Sequence, residues 1–303
     1  MPQAVLPLAL ISLFGALYAL GERRTARLLR RPRSSRDRLH SLYFYAGLVA
    51  SAVAVVGPID TYAEKLFWVH MVQHVLLLGV AAPLIVLGAP WMSIWRPLPL
   101  GFRRSVAGTI AHSPWCAPLR ALKVLGRPVG AWLAYSVDLV TWHIPAAYDL
   151  AARQRAVHDL EHLSFMVFGI LLWAQVLQSP PLRLRLRDIH RVYYIVGASI
   201  VGWMISLVLV FSSTPLYPFY AHIANRPGGI SAIADQQLAG GIMLVGGSLS
   251  MTIFVFAQIY AWLGDEPGER PRQPPARSPD PQPSADGPPG ATRALAHAGA
   301  DRD

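Results

Sequence analysis

Two pairs of histidines share one spacing and could bind a metal ion. His70 and His74 lie in the stretch WVHMVQHVLLL, and His158 and His162 lie in VHDLEHLSF. Residues four apart on an α-helix project from one face, so each pair would present two imidazoles together. Imidazole nitrogen is a ligand that suits copper and zinc. The spacing therefore predicts a nitrogen-rich metal site where the two pairs meet.

Two other side chains, His143 and Met71, are further candidates for metal ligands at such a site. His143, in the stretch TWHIP, is a fifth candidate ligand. Met71 offers a thioether, but on a helix of 3.6 residues per turn it points about 100° away from His70. We therefore do not expect Met71 among the first ligands.

Long apolar blocks surround these residues. The chain is 53% hydrophobic and only 15% charged. A bilayer core of about 30 Å requires roughly 20 apolar residues in a helix that rises 1.5 Å per residue. Because each block must satisfy its own backbone hydrogen bonds in lipid, the sequence predicts an all-α polytopic membrane protein, a seven-transmembrane-helix bundle. The seven blocks are 4–20, 39–57, 68–90, 128–147, 157–178, 192–213 and 238–263.

Basic residues are divided unequally between the loops that join these blocks. The odd-numbered loops contain eighteen Lys and Arg residues and the even-numbered loops contain four. Because cytoplasmic loops are enriched in Lys and Arg, we expect the N-terminus outside and the C-terminus in the cytoplasm, in a bacterial cytoplasmic (inner) membrane. The net charge of +10 then indicates a membrane-lipid partner and no nucleic acid. All five candidate histidines fall at the outer ends of their helices.

Acidic residues on the same outer side could hydrogen-bond to the imidazoles and orient them. Glu64, Asp149 and Glu161 are among them, and Asp138 is a separate case because it falls inside an apolar block. An ionisable group at that depth is typical of a functional site, although a structural hydrogen bond to a neighbouring helix explains it equally well. The supporting residues predicted for the site are Asp60, Asp138, Asp159 and Asp235.

The domain organisation follows from a change in composition. Residues 1–263 are predicted to form the transmembrane domain, whereas residues 264–303 are rich in Pro, Gly and charge. Such a segment cannot bury a core, so we expect a disordered cytoplasmic tail. The single cysteine excludes an intrachain disulfide and any cysteine-based metal motif.

Four stretches, in this order, resemble the CtaG-type family of cytochrome c oxidase assembly factors linked to caa3-type oxidases. They are HMVQHVLLLGVAAPLIVLGAP (70–90) with the preceding Ile59–Asp60, WHIPAAYDLA (142–151), HDLEH (158–162) and DQQLAGGIM (235–243). The resemblance covers roughly residues 40–262. It implies a membrane protein required for maturation of a haem-copper oxidase through copper handling, with oxidase subunits as partners.

Three hypotheses for the function stand at this point. The leading one is a non-enzymatic assembly factor that binds and delivers copper at the outer face, with zinc less favoured as the metal. The alternative is a seven-helix intramembrane zinc-dependent hydrolase of lipid amides, in which Asp138 and the histidines would surround zinc-bound water. A third is a b-type cytochrome with axial histidines from two helices. The predicted metal ligands are His70, His74, His143, His158 and His162.

Overall fold

The computed structural model describes residues 5–29, 33–112, 124–181 and 186–264, and all regular structure in these ranges is helical. Residues 1–261 form one compact unit, and only residues 262–264 are described of the second, 262–303. The predicted tail therefore lies, from residue 265 on, outside the described residues, and its disorder stays a prediction.

The α-helices are α1 Val5–Leu29, α2 Ser35–Val55, α3 Pro58–Ala63, α4 Phe67–Val75, α5 Ala82–Leu87, α6 Pro90–Trp95, α7 Leu100–His112, α8 Pro128–His143, α9 Pro145–Arg153, α10 Arg155–Trp173, α11 Asp188–Phe211, α12 Pro218–Ala221 and α13 Ala232–Gly264.

Six of the helical stretches are long and apolar enough to cross a membrane. Helix α13 has an exposed apolar face. Its residues Val245, Leu249, Ile253 and Phe256 share one side of the helix and are between 60% and 71% exposed. An exposed apolar face of this length indicates a lipid-facing surface. The six stretches are Val5–Leu28, Ser35–Ala63, Phe67–Leu87, Arg155–Trp173, Asp188–Phe211 and Ala232–Gly264.

The fourth predicted block, 128–147, is divided in two. Helix α8 ends at His143 after 16 residues, a length of about 24 Å. Ile144 is extended because a residue that precedes proline avoids the helical region, and Pro145 then begins α9. This block is therefore not among the six long spans. A seventh membrane span at 128–147 stays a prediction, and so does the orientation of the termini.

The span Phe67–Leu87 contains a π-helical segment, Leu76–Ala81, between α4 and α5. Pro83 lies just after it and has no N–H to donate to the preceding turn, so the wider π turn accommodates the proline ring. The indole of Trp173 donates a 2.9 Å hydrogen bond to the carbonyl of Leu78 in this segment. π segments of this kind are frequent at functional sites, and this one follows directly on the histidine-bearing helix.

Helix α10 is the centre of the packing around the histidines. It contacts α8, α9, α5 and the π-helical segment, while α2 packs on the other side of that segment and of α5. Trp173 and Phe165 of α10 are buried in the main core together with Tyr135 and Leu139 of α8. The helix that carries His158 and His162 is thus held by packing on several sides.

Candidate metal centre

The two histidine pairs meet between α4 and α10. One potential ligand atom from each of His70, His158, Glu161 and His162 can be chosen so that all four lie within 4.8 Å of one another. Each of these side chains is buried. We call this set, together with His74, the His/Glu cluster.

The distances between imidazoles define the shape of the cluster. His70 Nε2 lies 2.8 Å from His74 Nε2 within α4, and the rings of His158 and His162 are 4.1 Å apart in α10. Between the two helices, the His70 ring lies 5.1 Å from that of His158 and the His74 ring 5.5 Å from that of His162. The two i, i+4 pairs therefore lie side by side in the structure, and their role as metal ligands stays a prediction.

Glu161 supplies a carboxylate in the middle of these imidazoles. It is fully buried, and within the described part of the chain neither of its oxygens has a hydrogen-bond partner. Its oxygens lie 3.5 Å from His74 Nε2 and 3.7 Å from His70 Nε2. A buried carboxylate without partners is strongly destabilising unless a cation compensates it. The arrangement can therefore hold a cation.

Several ring nitrogens of the cluster are also available. His74 Nδ1, His158 Nδ1 and His162 Nε2 are buried and have no hydrogen-bond partner among the described residues. Donor atoms bound to one ion at about 2.1 Å lie within about 4.2 Å of each other, so a spread of 4.8 Å needs only small side-chain movements. The residues present therefore fit a copper or zinc ion.

His143 lies beside this cluster and outside the four-residue group. Its ring is 6.2 Å from that of His74, and its Nδ1 is 2.7 Å from the carbonyl oxygen of Leu139. A carbonyl can only accept, so Nδ1 carries the proton and Nε2 presents a free lone pair. That Nε2 is buried and unpartnered within the described chain.

Asp60 and Asp159 are held by one arginine. Arg155 donates to Asp60 at 3.2 and 3.3 Å and to Asp159 at 3.0 Å, and Gln73 also donates to Asp60. These bonds tie α3 to α10 at the edge of the cluster. Both carboxylates thus bind Arg155. Hydrogen bonds from them to the imidazoles, which would orient the rings, stay a prediction.

Asp235 and Asp138 lie at two other places. Asp235, which is buried, accepts 3.0 Å hydrogen bonds from the backbone N–H groups of Phe67 and Trp68, the first two residues of α4. A carboxylate at a helix N-terminus satisfies free N–H groups and complements the helix dipole, so Asp235 fixes the start of the helix that carries His70. Asp138 accepts a 3.0 Å hydrogen bond from the indole of Trp142, one turn later in the same helix, and its role in the site stays a prediction.

Tyrosines form one wall of the cluster and were not predicted. The Tyr148 ring lies 5.1 Å from that of His70, and the Tyr220 hydroxyl lies 3.5 Å from His70 Nδ1. Burial raises the pKa of both phenols well above the usual range. They stay neutral at physiological pH, so the phenols add no negative charge to the cluster.

A cavity of about 380 Å³ leads to the cluster from a charged rim. His70 and His158 line its inner part, and Arg155 lies beside them. Exposed residues complete the lining, so the cluster is reached from one side without unfolding a helix. These exposed charged residues are Glu64, Lys65 and Arg153.

Two comparisons concern individual proteins. The chain is 23% identical over 254 residues to uncharacterized proteins of Mycobacterium bovis and Mycobacterium tuberculosis, in alignments that cover 84% of this chain and 38% of each relative. An uncharacterized protein of Mycobacterium leprae is 21% identical over 216 residues, which cover 71% of this chain and 33% of that protein. The chain therefore spans less than two-fifths of the length of these curated relatives. No solved structure matches it at a significant level.

The third comparison concerns families. The model of the family described as cytochrome c oxidase caa3 assembly factor (Caa3_CtaG) matches residues 16–265. This match covers most of the chain, includes every residue of the His/Glu cluster, and confirms the resemblance seen over 40–262. The protein belongs to the family of caa3 cytochrome c oxidase assembly factors.

Proposed function

We propose that the protein binds a copper ion in the His/Glu cluster and delivers it to a haem-copper oxidase subunit at the outer face of a bacterial cytoplasmic membrane. The observation that carries this proposal is the convergence of three imidazoles and the unpartnered Glu161 carboxylate within 4.8 Å. A site that is buried, negatively charged and rich in nitrogen favours a cation that accepts imidazole ligands.

The choice of copper rests on the oxidase context. Imidazole with one carboxylate suits zinc as well as copper, so the ligands alone do not separate the two metals. Assembly of a cytochrome c oxidase of the haem-copper type requires copper to reach the enzyme, and the chain belongs to a family of such assembly factors. Copper is then cargo, which the protein holds and passes on.

Delivery requires that the ion can leave again. The cavity of about 380 Å³ opens His70 and His158 toward exposed charged residues, which gives the ion a path in and out. Those residues carry both signs of charge, and they form a surface on which an oxidase subunit can dock. Membrane lipid surrounds the remaining helices.

We propose no catalysis for this site. None of the comparisons supports the alternative, a zinc-dependent hydrolase of lipid amides. Beside His70, burial keeps the Tyr148 phenol protonated, so this hydroxyl is not an anionic nucleophile.

The experiment is a metal analysis of the detergent-purified full chain after loading with copper(II) or zinc. Wild type is expected to retain a single copper(II) ion, and the His70→Ala/His158→Ala variant is expected to lose it. The matched control is His190→Ala, which removes an exposed imidazole at the start of α11. Retention of copper by the double variant, or a wild type that binds neither metal, would refute the proposal.

A further inference from the structure

A second, smaller cavity lies next to the His/Glu cluster. It has a volume of about 50 Å³ and is lined by α4, α8, α11 and α13 together with the π-helical segment. His74 and His143 form its wall toward the cluster. A volume of this size holds a water molecule or an ion, and it is too small for an organic ligand.

Three methionines line this cavity. Met71 comes from α4, and Met243 and Met251 come from α13. The chain has seven methionines in total, so nearly half of them line this one cavity. Met71 is fully buried, and the Ser199 hydroxyl donates a 2.8 Å hydrogen bond to the Met251 sulfur, which orients that thioether.

His143 adds a nitrogen that is prepared for a ligand. Its Nδ1–H is engaged by the Leu139 carbonyl, so the Nε2 lone pair is free, buried and unpartnered in the described chain. A ring N–H held by a backbone carbonyl is the arrangement that fixes the tautomer of metal-binding histidines. Hydrophobic packing alone explains the methionines, but it leaves this buried nitrogen without a partner.

We propose that this cavity is a second metal site, which binds copper(I) through His143 and the thioethers of Met71 and Met243. The inference rests on the proposed copper-handling function and extends it. Thioether sulfur is a soft ligand that selects copper(I), whereas the carboxylate in the His/Glu cluster favours a harder ion. We call this set the Met/His site.

His74 connects the two sites. Its Nε2 lies 2.8 Å from His70 Nε2 in the cluster, while its Nδ1 is buried and unpartnered and its ring lines the Met/His site. An ion can therefore pass from one set of ligands to the other along one imidazole. No change in oxidation state is needed when copper enters as copper(I), because imidazole binds that ion too.

The test uses the full chain in detergent, titrated anaerobically with copper(I) supplied as its acetonitrile complex. We expect two copper(I) ions per wild-type chain and a single ion in the variant Met71→Leu/Met243→Leu. Leucine conserves the side-chain volume and removes the sulfur. The control is Met204→Leu, which changes an exposed methionine of α11 outside this cavity and should leave two ions.

X-ray absorption at the copper edge identifies the ligands directly. The wild type should show sulfur scattering that is lost in Met71→Leu/Met243→Leu and kept in His70→Ala/His158→Ala. A wild-type spectrum with nitrogen and oxygen scattering only would overturn the Met/His site, even where the methionine variant fails to fold. Sulfur-bound copper without an ion in the His/Glu cluster would instead support the Met/His site and contradict the proposed function.

Discussion

Replacement of Glu161 by glutamine separates the binding role of the carboxylate from any structural role. Glutamine keeps the shape of the side chain and removes its charge. Without metal, Glu161 is a buried carboxylate whose oxygens have no partner in the described chain. We therefore expect the metal-free variant to be at least as stable as the wild type, because glutamine replaces a carboxyl group that is costly to bury without a partner.

The effect on copper binding should have the opposite sign and can be estimated. Two unit charges about 4 Å apart interact by about 4 kcal/mol at the effective dielectric constant of about 20 that suits protein sites. The Glu161 oxygens lie 3.5 and 3.7 Å from the Nε2 atoms of His74 and His70, so a cation held by these imidazoles is in this range. This is the value for a single positive charge, and copper(II) carries two, so the loss should be at least about 4 kcal/mol, which weakens copper binding at least about 10³-fold.

The assay is thermal unfolding of wild type and Glu161→Gln, with and without copper(II), combined with competitive titration of the ion. Stabilisation by a bound ion grows with the ratio of its concentration to Kd, so the copper-induced rise in Tm should nearly vanish in the variant. The matched control is Glu64→Gln, which removes the same charge from the exposed rim. Unchanged copper affinity together with a less stable metal-free variant would show that Glu161 is structural, and the reasoning would be wrong.

Three further predictions concern the supports of the site. Asp235→Ala leaves two N–H groups of α4 unpaired and should lower the free energy of unfolding by about 1–3 kcal/mol. Thermal unfolding measures this change, and an unchanged stability would mean that Asp235 does not stabilise the start of α4. Trp173→Phe removes the hydrogen bond to Leu78 in the π-helical segment and should cost about 1 kcal/mol, with Trp262→Phe, an exposed indole, as the control. Copper affinity should fall as pH falls, because imidazole must be neutral to bind metal; titrations at several pH values that give one constant Kd would contradict binding by histidine.

Helical periodicity defines which residues share a face, so the spacing predicted that each histidine pair projects from one face. It allowed the two pairs to meet but did not determine that they do. The same rule places Glu161 three residues after His158, on that same face, but the acidic residues were assigned a supporting role only. Periodicity could not give the distances between helices, which decide that Glu161 lies beside His70 and His74 of α4 and that Asp60 of α3 binds Arg155. The contact of Asp159 with Arg155 is instead an i, i+4 pair within α10.

Two other features depend on local backbone and packing that the sequence does not determine. The apolar block 128–147 was predicted as one helix. In the structure this helix ends at His143, because the residue before Pro145 avoids the helical region. Met71 lines the smaller cavity beside the cluster, and the methionines of α13 that also line this cavity are far away in sequence. Their proximity follows from the packing of α13 and could not be predicted from the spacing.

The central claim is that imidazoles of the His/Glu cluster bind copper. The most direct measurement is electron paramagnetic resonance of the purified chain loaded with a single equivalent of copper(II). The account predicts hyperfine coupling to several imidazole nitrogens in wild type and in His190→Ala, and its loss in His70→Ala/His158→Ala. A spectrum without nitrogen coupling, or one that is identical in the double variant, would contradict it.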